Sequence, residues 1–271
     1  MSAIVAKSAA ATAFDGIAET YDRVFTHSLV GRAQRQVVWE VLDRTFLTGD
    51  KVLELNCGTG EDAMHLGSRG VQVVACDASV QMVEVARRKR GNQRGGAAVS
   101  FHVLPTERVS DIAFKAPFDG LFSNFAGLNC VTNLHDVGDQ LASLVRPGAW
   151  MLLCVCTRFC LWESLWHAAN GEWKKASRRW SGQSEATLSG VEVEVQYPTV
   201  REMKQSFAPW FELRSMIAVG LAIPPSYMED WSRQHRTLFR ALRSIDKRMR
   251  RLPLLRVSGD HVLLAFQRST Q

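Results

Sequence analysis

Hydrophobic positions in the first part of the chain follow a helical rhythm and then give way to an alternating one. Phe14, Ile17, Ala18, Tyr21, Val24 and Phe25, followed by Val37, Val38, Val41 and Leu42, recur at i, i+3, i+4 and i+7 and predict amphipathic helices between Phe14 and Phe46. Thr48-Gly49-Asp50 breaks the pattern. From Lys51 onward short apolar runs predict strands at 52–55, 71–77, 99–103, 118–123 and 150–156, separated by helices at 61–69, 80–90 and 134–145. Gly70 and Pro147-Gly148 stand at helix stops, and Ser79 is a good N-cap. Strands alternating with helices of about 10–15 residues predict an α/β fold with a parallel sheet. Such sheets bind ligands at the carboxyl ends of their strands, here around residues 54–60, 77, 104–107 and 123–130. After Cys156 the alternation stops. A tryptophan-containing segment, a hairpin strand at 191–196, late strands from Phe211 and His261, and a basic helical stretch complete the chain. Residues 1 to about 13, rich in Ala, Ser and Thr, are expected to be poorly ordered.

Composition adds three points. With 46% hydrophobic and 22% charged residues over 271 positions, the chain is core-forming, which excludes long disorder and fibrous classes. It has no apolar run of about 18 residues and no leader with a basic segment before a long apolar core, so a soluble protein without a secretory signal is expected. The six cysteines form no Cys-x-x-Cys pair. Cys154, Cys156 and Cys160 have strand-like rather than zinc-like spacing, so reduced core thiols, no metal and a cytoplasmic location are expected. Nine Lys/Arg against three acids between Glu229 and Val257 account for the whole net charge of +6.

Gly58-Thr59-Gly60, after one strand and opening a helix, lets backbone approach a ligand closely and aims helix N–H groups at it. Asp77, at the end of the next strand, can accept both hydroxyls of a ribose. Together they make a nucleoside-binding arrangement, and with Ala63 the loop also fits the loose dinucleotide form G-x-G-x-x-A. Glu61 and Asp62 at the helix start would repel a diphosphate, which favours a ligand with a cationic centre.

Val52-Leu-Glu-Leu-Asn-Cys-Gly-Thr-Gly-Glu-Asp62 resembles the first motif of class I S-adenosylmethionine-dependent methyltransferases, E/D-x-G-x-G-x-G. Val74-Ala-Cys-Asp-Ala-Ser79 with Met82 resembles their second motif. Ala13-Phe-Asp-Gly-Ile-Ala-Glu-Thr-Tyr-Asp22 resembles the F-x-x-x-A-x-x-Y-D leader of small-molecule members, and Arg146-Pro-Gly-Ala149 their R/K-P-G-G turn. Four motifs in family order cover residues 13–157.

The resemblance implies a Rossmann-like, mostly parallel seven-stranded sheet with helices on both faces, an N-terminal helical lid and helical cap insertions. It implies a lid over 1–46, a cofactor-binding core over 47–157 and a substrate cap over 158–206. Residues 207–271 would add the last core strands, with a basic helical insertion at 224–257. The cofactor would be S-adenosylmethionine. Asp77 would hold the ribose, Ala78 and Met82 would pack near the adenine beside Thr106 and Glu107, and Glu54 with Asn56, Cys57, Gly58, Thr59 and Gly60 would face the methionine moiety. Asn124 and Phe125 would lie below the sulfonium, and Tyr21 would close over the carboxylate. Asn56 departs from the family, which has glycine there, so it either contacts ligand or narrows the loop.

The acceptor is expected to be a small organic molecule, apolar or aromatic, with no nucleic acid partner. His135, and less so His167, are candidate general bases, and Asn129 and Tyr227 candidate orienting groups. Trp162, Trp166, Trp173 and Trp180, spaced near one helical face, either pack a cap helix or line an acceptor pocket through Trp162 and Trp166. Trp231, Leu238, Phe239, Leu242 and Ile245 make the basic stretch amphipathic, with its apolar stripe expected to dock on the domain. A solvated face is its default role, peripheral contact with an anionic surface through 231–256 the next, and nucleic acid the last. The rival readings are a nicotinamide-dependent oxidoreductase and a non-catalytic S-adenosylmethionine-binding regulatory subunit.

Overall fold

The computed structural model describes residues 7–91 and 98–270. Two helices, α1 (Ala9–Tyr21) and α2 (Leu29–Thr45), joined by a π-helical turn over Asp22–Thr26, precede the sheet. Then β1 (Lys51–Leu55), α3 (Glu61–Ser68), β2 (Gln72–Asp77), α4 (Val80–Gly91), β3 (Val99–Val103), β4 (Phe118–Ser123), α5 (Leu134–Leu144) and β5 (Val145–Val155) alternate. Between β5 and the sheet's last strands come α6 (Leu161–Ala169), α7 (Trp173–Ala176), a hairpin of β6 (Gln183–Leu188) and β7 (Val191–Gln196), and α8 (Val200–Phe207). The chain ends with β8 (Phe211–Val219), α9 (Glu229–Gln234), α10 (Arg236–Met249) and β9 (His261–Arg268).

The sheet runs β3-β2-β1-β4-β5-β9-β8. Its first five strands pair in parallel, and β9 is antiparallel to both β5 and β8. The sheet is covered on both faces, which is why its central strands are apolar throughout rather than alternating. Leu53, Leu55, Val74 and Leu153 face α5 and α8, through Leu141, Met203 and Phe207. Val52, Val73, Ala75 and Cys154 face α2, α3 and α4, through Val38, Leu42, Leu66 and Val83. The strand order reverses between β1 and β4, so the carboxyl ends of β1, β2 and β4 converge on one crevice. Among the described residues, no helix is long and apolar enough to cross a membrane.

Three expectations are corrected. Residues 9–13 are helical: Ser8 caps α1, its hydroxyl accepting from the Ala11 N–H at 3.1 Å, while residues 1–6 lie outside the described part. The four tryptophans do not share one helix, because Gly171 takes a positive φ of +74° and ends α6. Trp162 and Trp166 stay on α6, Trp173 opens α7, and Trp180 lies beyond it. The apolar stripe of the basic helix does not dock as a whole. Of its members only Phe239 is buried, against Val30, Ala33 and Ile223, and Leu238 and Ile245 stay exposed. The helix is instead moored by buried polar groups. Asp246 accepts the backbone N–H groups of Leu221 and Ala222, and Arg250 pairs with Glu40 at 2.7 Å.

The glycine at position 16 fixes how α1 sits. A Cβ there would lie 2.7 Å from the Ser189 hydroxyl, so the β6–β7 turn can lie against α1 only with glycine at that position.

Candidate functional site

The crevice at the carboxyl edge of the sheet is lined by the 56–59 loop, Asp77, Ala78 and Met82, Thr106 and Glu107, and Asn124 and Phe125. Tyr21 and the start of α1 roof it. The positions named from the motifs thus come together in one cleft, apart from Glu54 and Gly60.

The loop's shape follows from its residues. Gly58 has φ +52° and a Cβ there would meet nothing, so this turn faces open space. Gly60 has φ +77° and serves packing: a Cβ would stand 2.6 Å from the Phe101 ring, which holds α3 against β3. Asn56 takes φ +53°, a conformation asparagine tolerates better than most side chains. Its amide accepts from the Ser123 hydroxyl and donates to the Thr106 hydroxyl, both at 3.0 Å. The departure from glycine therefore ties β4 and the post-β3 turn to the loop. Gly127 makes room for it, since a Cβ there would lie 2.2 Å from the Asn56 Cβ.

Asp77 accepts the Gly58 N–H on one carboxylate oxygen and the Ser79 N–H on the other, each at 2.8 Å. Each oxygen keeps a lone pair toward the cleft. Burial raises its pKa, opposed by those two N–H donors. Glu54 lies under the loop, buried, with one carboxylate oxygen unpartnered. Burial, then the neighbouring Asp62 charge, pushes its pKa well up. It is not part of the cleft wall and supports α3 through the Ala63 N–H.

Asp62 and Arg35 were not named from the sequence as ligand contacts. Asp62, buried in the first turn of α3, accepts from Trp39 Nε1 at 2.6 Å and Asn124 Nδ2 at 2.9 Å, and pairs with Arg35 at 2.6 Å. Burial would raise its pKa, but Arg35 outweighs it and holds the carboxylate below its usual range. Arg35 lines the cleft with its guanidinium 4.8 Å from the centre of the Phe125 ring, and its Nε is buried without a partner. No spacing rule links position 35 to the loop. The signal was an arginine on the otherwise buried face of α2.

The roof is pinned by side chains of the leader. Asp22 accepts from the Thr59 hydroxyl at 2.6 Å and from Lys89 at 2.8 Å, and Lys89 also reaches Glu61 at 3.1 Å. Asp15 accepts from the Ser79 hydroxyl and the Gln81 N–H, so α1 completes the N-terminal cap of α4. Burial pushes the Tyr21 phenol up to about 12, so it stays protonated at neutral pH.

The candidate catalytic and acceptor residues stand elsewhere. His135 is exposed on α5, 3.8 Å from Asp139, and lines a separate groove. Asn129 is buried, but its amide is consumed by backbone: it donates to the carbonyls of Cys156 and Gln196 and accepts from the Cys156 N–H. Trp162 donates to the Ala222 carbonyl at 2.9 Å and packs on Trp231. Trp166 points to the surface, and Tyr227 stacks on His167, which is itself bonded to Glu172. None of these lines the cleft, and among the described residues its wall contains no histidine.

Residues 52–148 match a family model described as a methyltransferase domain. The demethylmenaquinone methyltransferase of Thermobifida fusca (strain YX) is 33% identical over 151 residues, covering 53% of this chain and 59% of that protein. The tRNA 5-carboxymethoxyuridine methyltransferase of Escherichia coli (strain K12) is 30% identical over 146 residues, 52% of this chain and 54% of that one. The chain thus spans little more than half the length of these curated relatives. Among solved structures, the CcbJ methyltransferase from Streptomyces caelestis superposes with a TM-score of 0.61 over 95% of this chain and 98% of that one, at 16% identity, which is a likeness of fold.

Proposed function

We propose that the chain, whose residues 52–148 match a methyltransferase domain, is a class I S-adenosylmethionine-dependent methyltransferase that transfers a methyl group to an O, N or C atom of a small, apolar or aromatic organic acceptor, releasing S-adenosylhomocysteine.

The cleft's donors and acceptors suit the cofactor. Asp77 offers free lone pairs for ribose hydroxyls, Met82 and Ala78 offer an apolar wall for a purine, and the unpartnered Arg35 Nε suits a carboxylate. Glu61 and Asp62 at the start of α3 oppose the diphosphate that a nicotinamide dinucleotide would bring there. Bound in this way, S-adenosylmethionine supplies a methyl group activated by a sulfonium. The chain's own residues do the rest by orientation and exclusion of water. Phe14, Phe125, Cys130 and Val131 give the cleft an apolar wall, and α1 covers one side of it. Reacting atoms held about 3–3.5 Å apart gain most of the available acceleration from geometry. A histidine-free wall favours acceptors that need little help in losing a proton.

The observation that carries the small-acceptor reading is the roof. Ser8, Ala10, Ala11 and Phe14 line the cleft itself, so the chain's own first helix narrows the space beside the loop. Incubation with tritiated S-adenosylmethionine and a panel of phenols, quinols and amines tests it. Label in organic-extractable product is the expected result. Label in RNA alone would replace the acceptor class, and tight cofactor binding without label in either would favour a regulatory subunit.

A further inference from the structure

The α9–α10 insertion sorts its charges by direction. Of its three acids, Asp246 is buried on Leu221 and Ala222, and Glu229 accepts the Leu29 and Val30 N–H groups that open α2, which leaves Asp230 exposed. The cations point outward. Arg236, Arg240, Arg243, Lys247, Arg248 and Arg251 are all exposed, and among the described residues none pairs with a carboxylate, in contrast to Arg233 and Arg250. The α2 N-terminus and the backbone at 221–222 thus consume negative charge that would otherwise neutralise this face.

The same helix leaves apolar surface uncovered. Leu238, Leu242, Ile245 and Met249 follow i, i+4, i+7, i+11 and form one stripe, while the buried Phe239, Asp246 and Arg250 form another about a quarter turn away. The apolar stripe therefore flanks the docked face instead of filling it. Leu238 is 47% and Ile245 41% exposed, and the following turn adds Leu254 at 89%. Trp231 joins this element to α6 through Trp162, and α6 presents Leu165 and Trp166 to solvent beside Lys174 and Lys175 of α7.

From this juxtaposition of an exposed leucine and isoleucine stripe with unpaired cations on α10, we propose that the insertion docks on an anionic phospholipid surface. Charge complementarity selects an anionic partner, and the aliphatic stripe selects a lipid over a nucleic acid. Leucine and isoleucine gain by entering the acyl boundary, whereas a single-stranded nucleic acid rewards aromatic stacking. The proposal does not depend on the methyl-transfer reading.

Co-sedimentation of the full chain with phosphatidylcholine vesicles, with and without phosphatidylglycerol, tests it. The chain binds the anionic vesicles selectively and loses binding as ionic strength rises. Arg240→Glu with Lys247→Glu lowers partitioning roughly tenfold or more. Leu238→Glu with Ile245→Glu does likewise. Neither pair shifts the melting midpoint or S-adenosylmethionine affinity, since all four side chains are exposed and none lines the cleft. Equal partitioning to neutral and anionic vesicles overturns the proposal. So does anionic binding that is indifferent to Leu238 and Ile245, and so does preference for an RNA oligonucleotide over the vesicles in competition.

Discussion

The Asp22 carboxylate accepts the Thr59 hydroxyl at 2.6 Å, so the segment that follows α1 is bonded to the middle of the glycine loop. Lys89 of α4 completes the junction by reaching both Asp22 and Thr59. Burial would raise the Asp22 pKa, but these hydrogen bonds, with Lys89 first, hold it below the ordinary carboxylate value. Thr59→Val removes the hydroxyl at nearly constant shape and leaves Asp22 on Lys89 alone. Amide exchange across residues 9–21 is expected to quicken, and cofactor affinity to fall by about 1 kcal/mol, the scale of one hydrogen bond. Unchanged exchange would show that α1 is held by its other contacts.

Asp77→Ala is expected to weaken S-adenosylmethionine binding by roughly 1–3 kcal/mol, from lost charge-assisted bonds to the ribose and a loosened Gly58 N–H. Isothermal calorimetry measures it. Affinity equal to the native chain's would remove Asp77 from the ribose role.

Glu54 is a carboxylate whose pKa burial drives well up, with one oxygen unpartnered. A raised folded-state value means that its contribution to stability is present below the unfolded pKa and is lost as pH rises toward the folded one. Glu54→Gln keeps an acceptor for Ala63 and cannot ionise. Its melting midpoint should exceed that of the native chain at about pH 8 and approach it at about pH 4. A variant less stable at both values would mean that the charge is needed where it lies.

Arg179 bridges Glu163 and Asp260, each at 2.8 Å, in a buried cluster joining the α6–α7 segment to the start of β9. Burial pushes Asp260 up, but His261 and Arg179 outweigh it and hold it low. Arg179→Met leaves Glu163 to Arg178 and Asp260 to His261 and Gln34, and loss of the buried guanidinium bonds should cost about 1.5–3 kcal/mol. A depressed carboxylate loses its stabilisation as pH falls through its folded value, so the gap between variant and native chain should narrow in acid. Thermal melts across pH read both effects. A pH-independent gap would assign the loss to packing.

The sheet and the loop were legible because local rules govern them. Val52–Leu55 and Trp150–Val155 are apolar runs with clear stops, and Gly58, Gly60 and Asp77 occupy fixed places relative to strand ends. The histidine and tryptophan candidates lie outside the cleft, His135 because it sits on the exposed side of α5, and His167 and the tryptophans because their places depend on how the insertions fold. Asn129 looked available from its place after β4, yet Cys156 and Gln196, distant in sequence, consume its amide. Arg35 went unnamed for the converse reason: it reaches the cleft from α2, with no motif to mark it. The stripe of α10 was visible, but periodicity cannot tell which flank of an amphipathic helix meets the protein.

The central claim is that this cleft binds S-adenosylmethionine. Parallel calorimetric and thermal-shift titrations with S-adenosylmethionine, S-adenosylhomocysteine, NADH and NADPH test it most directly. Ligand at about 100 times its dissociation constant adds about 2.7 kcal/mol, enough to raise the melting midpoint by several degrees. Stabilisation by the two sulfur nucleosides, lost in Asp77→Ala, is the predicted result. Stabilisation by a nicotinamide dinucleotide, or by none of the four, would contradict it.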